Sequence, residues 1–347
     1  MKVGIVEIAA RAGVSEATVS RVINRRQGVA RKTREAVERV MAELGYERPV
    51  QGQLVAVVTE HVSNPFFADV AERIESALAP HGLKTVICPS FPGGVQEREF
   101  ITSIVDKGIA AVVFLSASNT VEGADPETYE ILRARHIPYV GINGEFADGV
   151  PVPVFSTDDA LAAELAVDHL YQLGHRTIGM ASGPKGNRPA DRRVRGFIEA
   201  MAKRGVEEPE RWVSRQSYTL EGGQAAANVL LQLGVTAIVA ASDYMALGAI
   251  RGIRRQGGSV PDDISVVGYD GSMITEFVDP PLTTVRQPGD RLALEVGRSV
   301  LALVSNRDVP TGELLFDPEL VIRATTGPAP GGGSRGYRQR HPDRAQR

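Results

Sequence analysis

The sequence predicts an α/β protein: a three-helix head over about residues 1–46, then a core of two doubly wound parallel-sheet subdomains. Three observations carry this. Residues 5–46 show helical periodicity only. From residue 54 onward, short apolar runs alternate with helical stretches, the texture of βαβ units. Those runs form two sets that divide near Asp158. The chain has 347 residues, 43% of them apolar and 23% charged, enough to bury cores without staples.

The first helix follows from Ile5, Ile8, Ala9 and Ala12, which fall on one face, with Gly13 as the break. Ser15 is a good N-cap for the second helix, whose apolar stripe is Val19, Val22 and Ile23. A glycine-containing loop, Arg25 to Ala30, leads to the third stripe: Val37, Val40, Met41 and Leu44, closed by Gly45. Residues 47–53 are a polar linker. The strand candidates are Leu54–Thr59, Thr85–Pro89, Ala111–Leu115, Tyr139–Ile142, Thr177–Ala181, Ala237–Ala241 and Ile264–Tyr269. Subdomain one is expected at about 54–157 plus a returning piece at 288–316, and subdomain two at 158–286 plus 317–327. Ligands in such folds bind beyond the carboxyl ends of the strands, so a cleft between the subdomains is the natural site. Residues 328–347, rich in Gly, Pro and Arg, are expected to be disordered.

Net charge is −3, but its distribution is uneven. Residues 1–49 hold 10 Lys+Arg against 6 Asp+Glu, a net +4, and residues 333–347 hold 5 Arg against 1 Asp. A basic head and tail flank an acidic body, which points the ends toward a polyanion or else to a merely solvated surface. The single cysteine, Cys88, excludes an internal disulfide and reads as a buried inert thiol. No stretch is long and apolar enough for a membrane span, and no signal-peptide pattern opens the chain, so a cytoplasmic location is expected. The histidines do not pair at metal-ligand spacing, and GxGxxG, P-loop, GxSxG and HExxH patterns are absent. No catalytic residue, metal or cofactor is therefore expected.

Val6–Asn24 reads as helix–turn–helix. Gly13 supplies the φ > 0 that the turn requires, and Ala9 is small where the helices cross. The second helix would place its N-terminal residues in the major groove. Glu16, Ala17 and Arg21 are its exposed positions, and the Arg21 fork suits a guanine edge. Thr18, Ser20 and Asn24 suit phosphate oxygens. An ordinary helical hairpin with solvated polar residues is the structural alternative.

The strings GVSEATVSRVIN (13–24) and TREAVERVMAELGY (33–46) resemble the head of the lactose-repressor (LacI/GalR) family of bacterial regulators. The resemblance covers residues 3 to 327. It continues through Asn64-Pro65-Phe66-Phe67, Leu173-Gly174-His175-Arg176-Thr177-Ile178, Ser242 to Gly248, Asp263 to Asp270, and Pro281-Leu282-Thr283-Thr284-Val285. It implies a periplasmic-binding-protein-like core and a transcriptional regulator, as a rule a repressor. The partners it implies are double-stranded operator DNA, a small effector such as a sugar, and a second copy in a homodimer on a near-palindromic site. The DNA-contacting set is then Ser15, Glu16, Ala17, Thr18, Ser20, Arg21, Asn24 and Thr33.

Effector positions carried over from the family are Phe66, Phe67, Arg193, Tyr218, Ser242 and Asp270. Arg193 stands in an Arg-x-x-Gly pattern, and its guanidinium can donate to neighbouring hydroxyls. Asp270 can accept from them. Tyr218 is an aromatic wall, with Phe66 and Phe67 opposite. Ser242 replaces the family's common Asn, which shortens its reach. Each has an alternative: Phe66 or Phe67 in the core, Arg192 or Arg195 as the contact, Asp270 as a helix cap, Tyr218 as packing. A sugar-binding transport protein shares this architecture but lacks a helix–turn–helix. Two departures from the family stand out. Ala30 replaces the usual Ser or Asn cap of the third helix. The linker, with Pro49 and Gly52, is too short and too poor a helix former for the family's hinge helix, so none is expected and Val50 makes a poor wedge.

Overall fold

The computed structural model describes residues 4–23, 28–44, 54–60, 62–90, 96–146 and 149–331. In the head, α1 (Ile5–Ala12), α2 (Glu16–Ile23) and α3 (Arg31–Glu43) meet around Ile8, Ala9, Val19, Val22, Ile23 and Val37. Gly13 adopts φ +67°, the left-handed turn between α1 and α2. Ala30 precedes α3 without a side-chain cap. Asn24, the linker 47–53 with its hinge-helix question, and residues 332–347 lie outside the described residues.

The core begins with β1 (Leu54–Thr59), α4 (Pro65–Leu78), β2 (Lys84–Pro89), α5 (Glu97–Val105), β3 (Ile109–Leu115), α6 (Glu127–Ala134), β4 (Tyr139–Ile142) and β5 (Pro153–Thr157). It continues with α7 (Asp159–Gln172), β6 (Ile178–Ser182), α8 (Arg188–Ala202), β7 (Val213–Arg215), α9 (Leu220–Leu233) and β8 (Ala237–Ala240). Then come α10 (Asp243–Arg255), β9 (Ser265–Asp270), α11 (Ile274–Phe277), β10 (Thr284–Arg286), α12 (Gly289–Val304), β11 (Gly312–Phe316) and β12 (Glu319–Val321).

These strands make two six-stranded sheets, ordered β11-β5-β4-β3-β1-β2 and β12-β10-β9-β8-β6-β7. The chain passes between sheets three times: after β5, after β10 and after β11. All pairings are parallel except that of β12 with β10. Asp317-Pro318 is too short for a crossover, so β12 starts at the end of sheet two where β10 finishes and runs back against it. Sheet one buries apolar clusters on both faces, one of them closed by α4 and α12. A third cluster surrounds sheet two. The disorder expected from residue 328 does not begin there: Ala329 N–H donates to the Leu173 carbonyl at 2.8 Å and ties the chain to the core.

Five helices start just beyond the carboxyl ends of strands, each closed by a short polar side chain. Asn64, Asp158, Asn187, Thr219 and Ser242 accept from backbone N–H groups at the starts of α4, α7, α8, α9 and α10. The sheets thus meet across a floor of capped helix N-termini, polar by construction.

Candidate functional site

On the head, Ser15 caps α2: its Oγ accepts from Thr18 N–H at 3.1 Å and lies 2.8 Å from the Thr18 hydroxyl. This turns Glu16, Ala17 and Arg21 to solvent, with Thr18, Ser20 and Thr33 half-buried beside them. One face of α2 is therefore free for a partner while Val19, Val22 and Ile23 hold the other in the core.

The second candidate is a cleft between the sheets. Phe67, Arg193, Tyr218, Ser242 and Asp270 all line it. Phe66 does not; it belongs to the apolar core beneath α4, with its ring edge-on to Phe67 at 5.2 Å between centroids. Of the three neighbouring arginines, Arg193 faces the cleft, Arg192 pairs across to Glu313 on β11, and Arg195 is exposed.

Arg193 is held from three sides. It donates to Asp159 and to the Tyr218 hydroxyl, the latter at 2.8 Å, and its guanidinium lies 4.2 Å over the Tyr269 ring. Its buried Nε has no hydrogen-bond partner. Burial opposes its charge, but Tyr218, Asp159, Tyr269 and Asp270 outweigh that and keep it protonated. Burial raises the pKa of Asp159, and the guanidinium opposes that rise. Asp270 ends β9 at φ +117° and does not cap a helix. Its carboxylate accepts from Asn64 Nδ2 at 3.0 Å and Gln287 Nε2 at 2.8 Å. Burial pushes it up to about 6 against those donors. Behind it Asp243, pushed up to about 7 by burial and by Asp270, accepts from Thr284 Oγ1 and from the Ser272 N–H and hydroxyl. Ser242 spends its hydroxyl on the α10 cap, accepting from Met245 N–H at 3.1 Å.

Several contacts tie the two sides together: Asn64 to Asp270, Tyr244 Oη to the Ser63 carbonyl at 2.7 Å, Asn187 Nδ2 to Thr120 Oγ1 at 3.3 Å, and Glu122 N–H to the Gly186 carbonyl at 2.7 Å. The cleft is closed. Sequence reasoning missed Asn64, Asp159, Asn187, Tyr269 and Gln287. For Asn64 the Asn-Pro motif was available; Asp159 and Gln287 carry no local signal. Among the described residues no cluster of His, Cys, Asp or Glu is arranged for a metal, and no helix is long and apolar enough to cross a membrane. Cys88 is buried, with its thiol pushed up to about 12 by desolvation, an unreactive state.

Comparison with known proteins places this geometry. Residues 4–49 match the model of bacterial regulatory proteins of the lacI family, and residues 167–326 match a periplasmic binding protein-like domain. The HTH-type transcriptional regulator MalR of Streptomyces coelicolor is 44% identical over 95% of this chain and 98% of its own. The HTH-type transcriptional repressor CytR of Escherichia coli is 32% identical over 92% of this chain and 95% of its own. A transcriptional regulator CelR–cellobiose complex superposes with a TM-score of 0.71 at 30% identity, covering 93% of this chain and all of that one. The lac repressor dimer bound to operator and the anti-inducer ONPF superposes with a TM-score of 0.66 at 27% identity over 94% of this chain and all of that one. Near-full-length kinship, a helix–turn–helix head and a two-sheet core with a closed cleft agree: the chain belongs to the lacI family of bacterial regulatory proteins and is a DNA-binding transcriptional regulator, not an enzyme.

Proposed function

We propose that the chain represses transcription as a homodimer on a near-palindromic operator, and that a neutral sugar in the cleft sets its DNA affinity. The observation that carries the effector reading is the chemistry of the lining. Arg193 is the single cation among the lining residues, and it is already paired with Asp159. A phosphorylated or acidic ligand would meet Asp270 without a spare positive charge. A polyhydroxylated ligand finds both donors and acceptors in Asn64, Asn143, Asn187 and Gln287, and ring faces in Phe67 and Tyr218. The CelR relative, solved with cellobiose, supports the class. Arg193 and Asp270 orient the hydroxyls, Tyr218 and Phe67 pack on the C–H face, Phe66 backs Phe67, and Ser242 holds α10. In the head, Arg21 reads a guanine edge, with Ser15, Glu16, Ala17, Thr18, Ser20, Asn24 and Thr33 completing the contact set. The working units are a head of about 1–46, a linker of 47–53 and a core of 54–327.

The test is a thermal-shift panel of neutral and phosphorylated mono- and disaccharides, since a ligand specific for the folded state raises its stability. A neutral sugar is expected to shift the midpoint, and Arg193→Ala and Asp270→Asn to abolish that shift while mobility-shift binding to operator persists. A panel without a hit, a response to phosphorylated sugars only, or intact binding in both variants would overturn the assignment. A reporter whose expression falls when the gene is deleted would contradict repression.

A further inference from the structure

The exposed face of α2 carries one group that contact with phosphate does not explain. Glu16 is the first residue of the helix, exposed, with exposed Ala17 beside it and exposed Arg21 farther along. Closing the helix does not need Glu16, because Ser15 takes the Thr18 N–H and hydroxyl. Among the described residues, the head's ion pair of Arg31 with Glu35 does not involve it either. A carboxylate at the leading turn of a surface that docks on DNA is repelled by the phosphates. That repulsion is offset only where the carboxylate accepts hydrogen bonds, and the donors on base edges in the major groove are the amino groups of cytosine N4 and adenine N6. Adenine sets its N7 lone pair beside N6, facing the carboxylate's second oxygen with another acceptor. Cytosine offers N4–H₂ with no acceptor of its own beside it.

We infer that Glu16 is a base-specificity residue that selects cytosine, and hence a C·G pair, at one position of each operator half-site. The inference rests on the proposed reading of α2 as the helix that enters the groove. Ala17, carrying only a methyl, fits against a thymine methyl next to it, and the Arg21 guanidinium matches guanine O6 and N7. The face is then one acceptor, one apolar contact and one double donor, a set that discriminates base pairs rather than gripping backbone.

The experiment is selection from a library of random-sequence duplex DNA by the full-length protein, its Glu16→Gln variant and its Arg21→Ala variant, followed by mobility-shift titration of the selected duplexes. The wild type is expected to enrich half-sites with one fixed cytosine. Glu16→Gln is expected to replace that cytosine with adenine, because the amide makes both adenine bonds, with a loss of about tenfold or more in preference for cytosine and the other positions unchanged. An unchanged base preference in Glu16→Gln overturns the inference, whether affinity is unaltered or rises equally on every duplex, which would make Glu16 only an electrostatic brake. A lowered melting midpoint with the same preference overturns it too, leaving Glu16 a helix-dipole residue. If the wild type selects no motif, or Arg21→Ala selects the wild-type motif, the reading of α2 itself has failed and the inference falls with it.

Discussion

Asp270 shows how much one side chain is asked to do. It is buried, already accepts from Asn64 and Gln287, and sits near 6 because burial outweighs those donors. A ligand hydroxyl donating to it favours the ionised form, so effector binding releases a proton near that pH and affinity rises as pH climbs through it. Calorimetry at about pH 5 and about pH 8, in buffers of different ionisation heat, checks this; equal affinity and no proton release would refute it. For folding, the sign is opposite to that of an ordinary ion-paired carboxylate. Asp243 (about 7) and Asp270 (about 6) bind protons more tightly folded than unfolded. Their contribution is complete below about pH 4, the unfolded value, and is lost as pH rises through about 6 to 7. The cleft's cation is legible from the family's Arg-x-x-Gly pattern, and the structure supplies its physical basis: Arg193 and Gly196 share a helix face, and Gly196 abuts the Ala160 backbone with no room for a Cβ. That contact fixes the rotation of α8 and aims Arg193 inward. Asp159, Tyr269 and Gln287 join it from α7, β9 and the turn after β10, and no local pattern announces a meeting across such separations.

Among the elements, the three head helices and seven of the strands were legible, the core helices were not individually placed, and the shortest strands were the least legible. The apolar runs locate β1, β2, β3, β4, β6, β8 and β9. The missed strands fall into two kinds. β7 (VSR), β10 (TVR) and β12 (ELV) are three-residue pieces, too short for any periodicity. β5 (PVFST) opens on a proline, and β11 (GELLF) is an edge strand with Leu314 and Leu315 exposed, so its pattern does not resemble a buried strand. Such strands exist because their neighbours already present unpaired backbone. Two substitutions test element-level reasoning. Ala30→Ser gives α3 the cap it lacks and is expected to stabilise the head by about 1 kcal/mol, read as a shift of the head's transition in thermal melts of the full chain. Gly223→Ala should do the reverse of what propensity says. A mid-helix glycine replaced by alanine gains up to about 1 kcal/mol in isolation. Here the new Cβ would collide with the Met245 backbone, where α9 and α10 cross, and a lower melting midpoint is expected. A rise in midpoint would show that the crossing tolerates separation.

At the scale of the whole molecule, the closed cleft is held by side chains from both halves, above all Arg192 with Glu313 and Asn64 with Asp270. Removing both ties with Arg192→Ala and Asn64→Ala is expected to enlarge the radius of gyration in solution scattering and to weaken effector binding together, because an open cleft must first close. An unchanged radius with weakened binding would assign these residues to ligand contact alone. The three passages between sheets also decide how the molecule comes off the ribosome. The α1–α3 bundle needs only the first 44 residues and can fold while the rest is being made. Sheet one, by contrast, waits for α12 and β11, and sheet two for β12, so neither half of the core is whole until residues 312–321 have emerged. A message cut short anywhere between the linker and that point would yield a folded three-helix head without a complete two-sheet core.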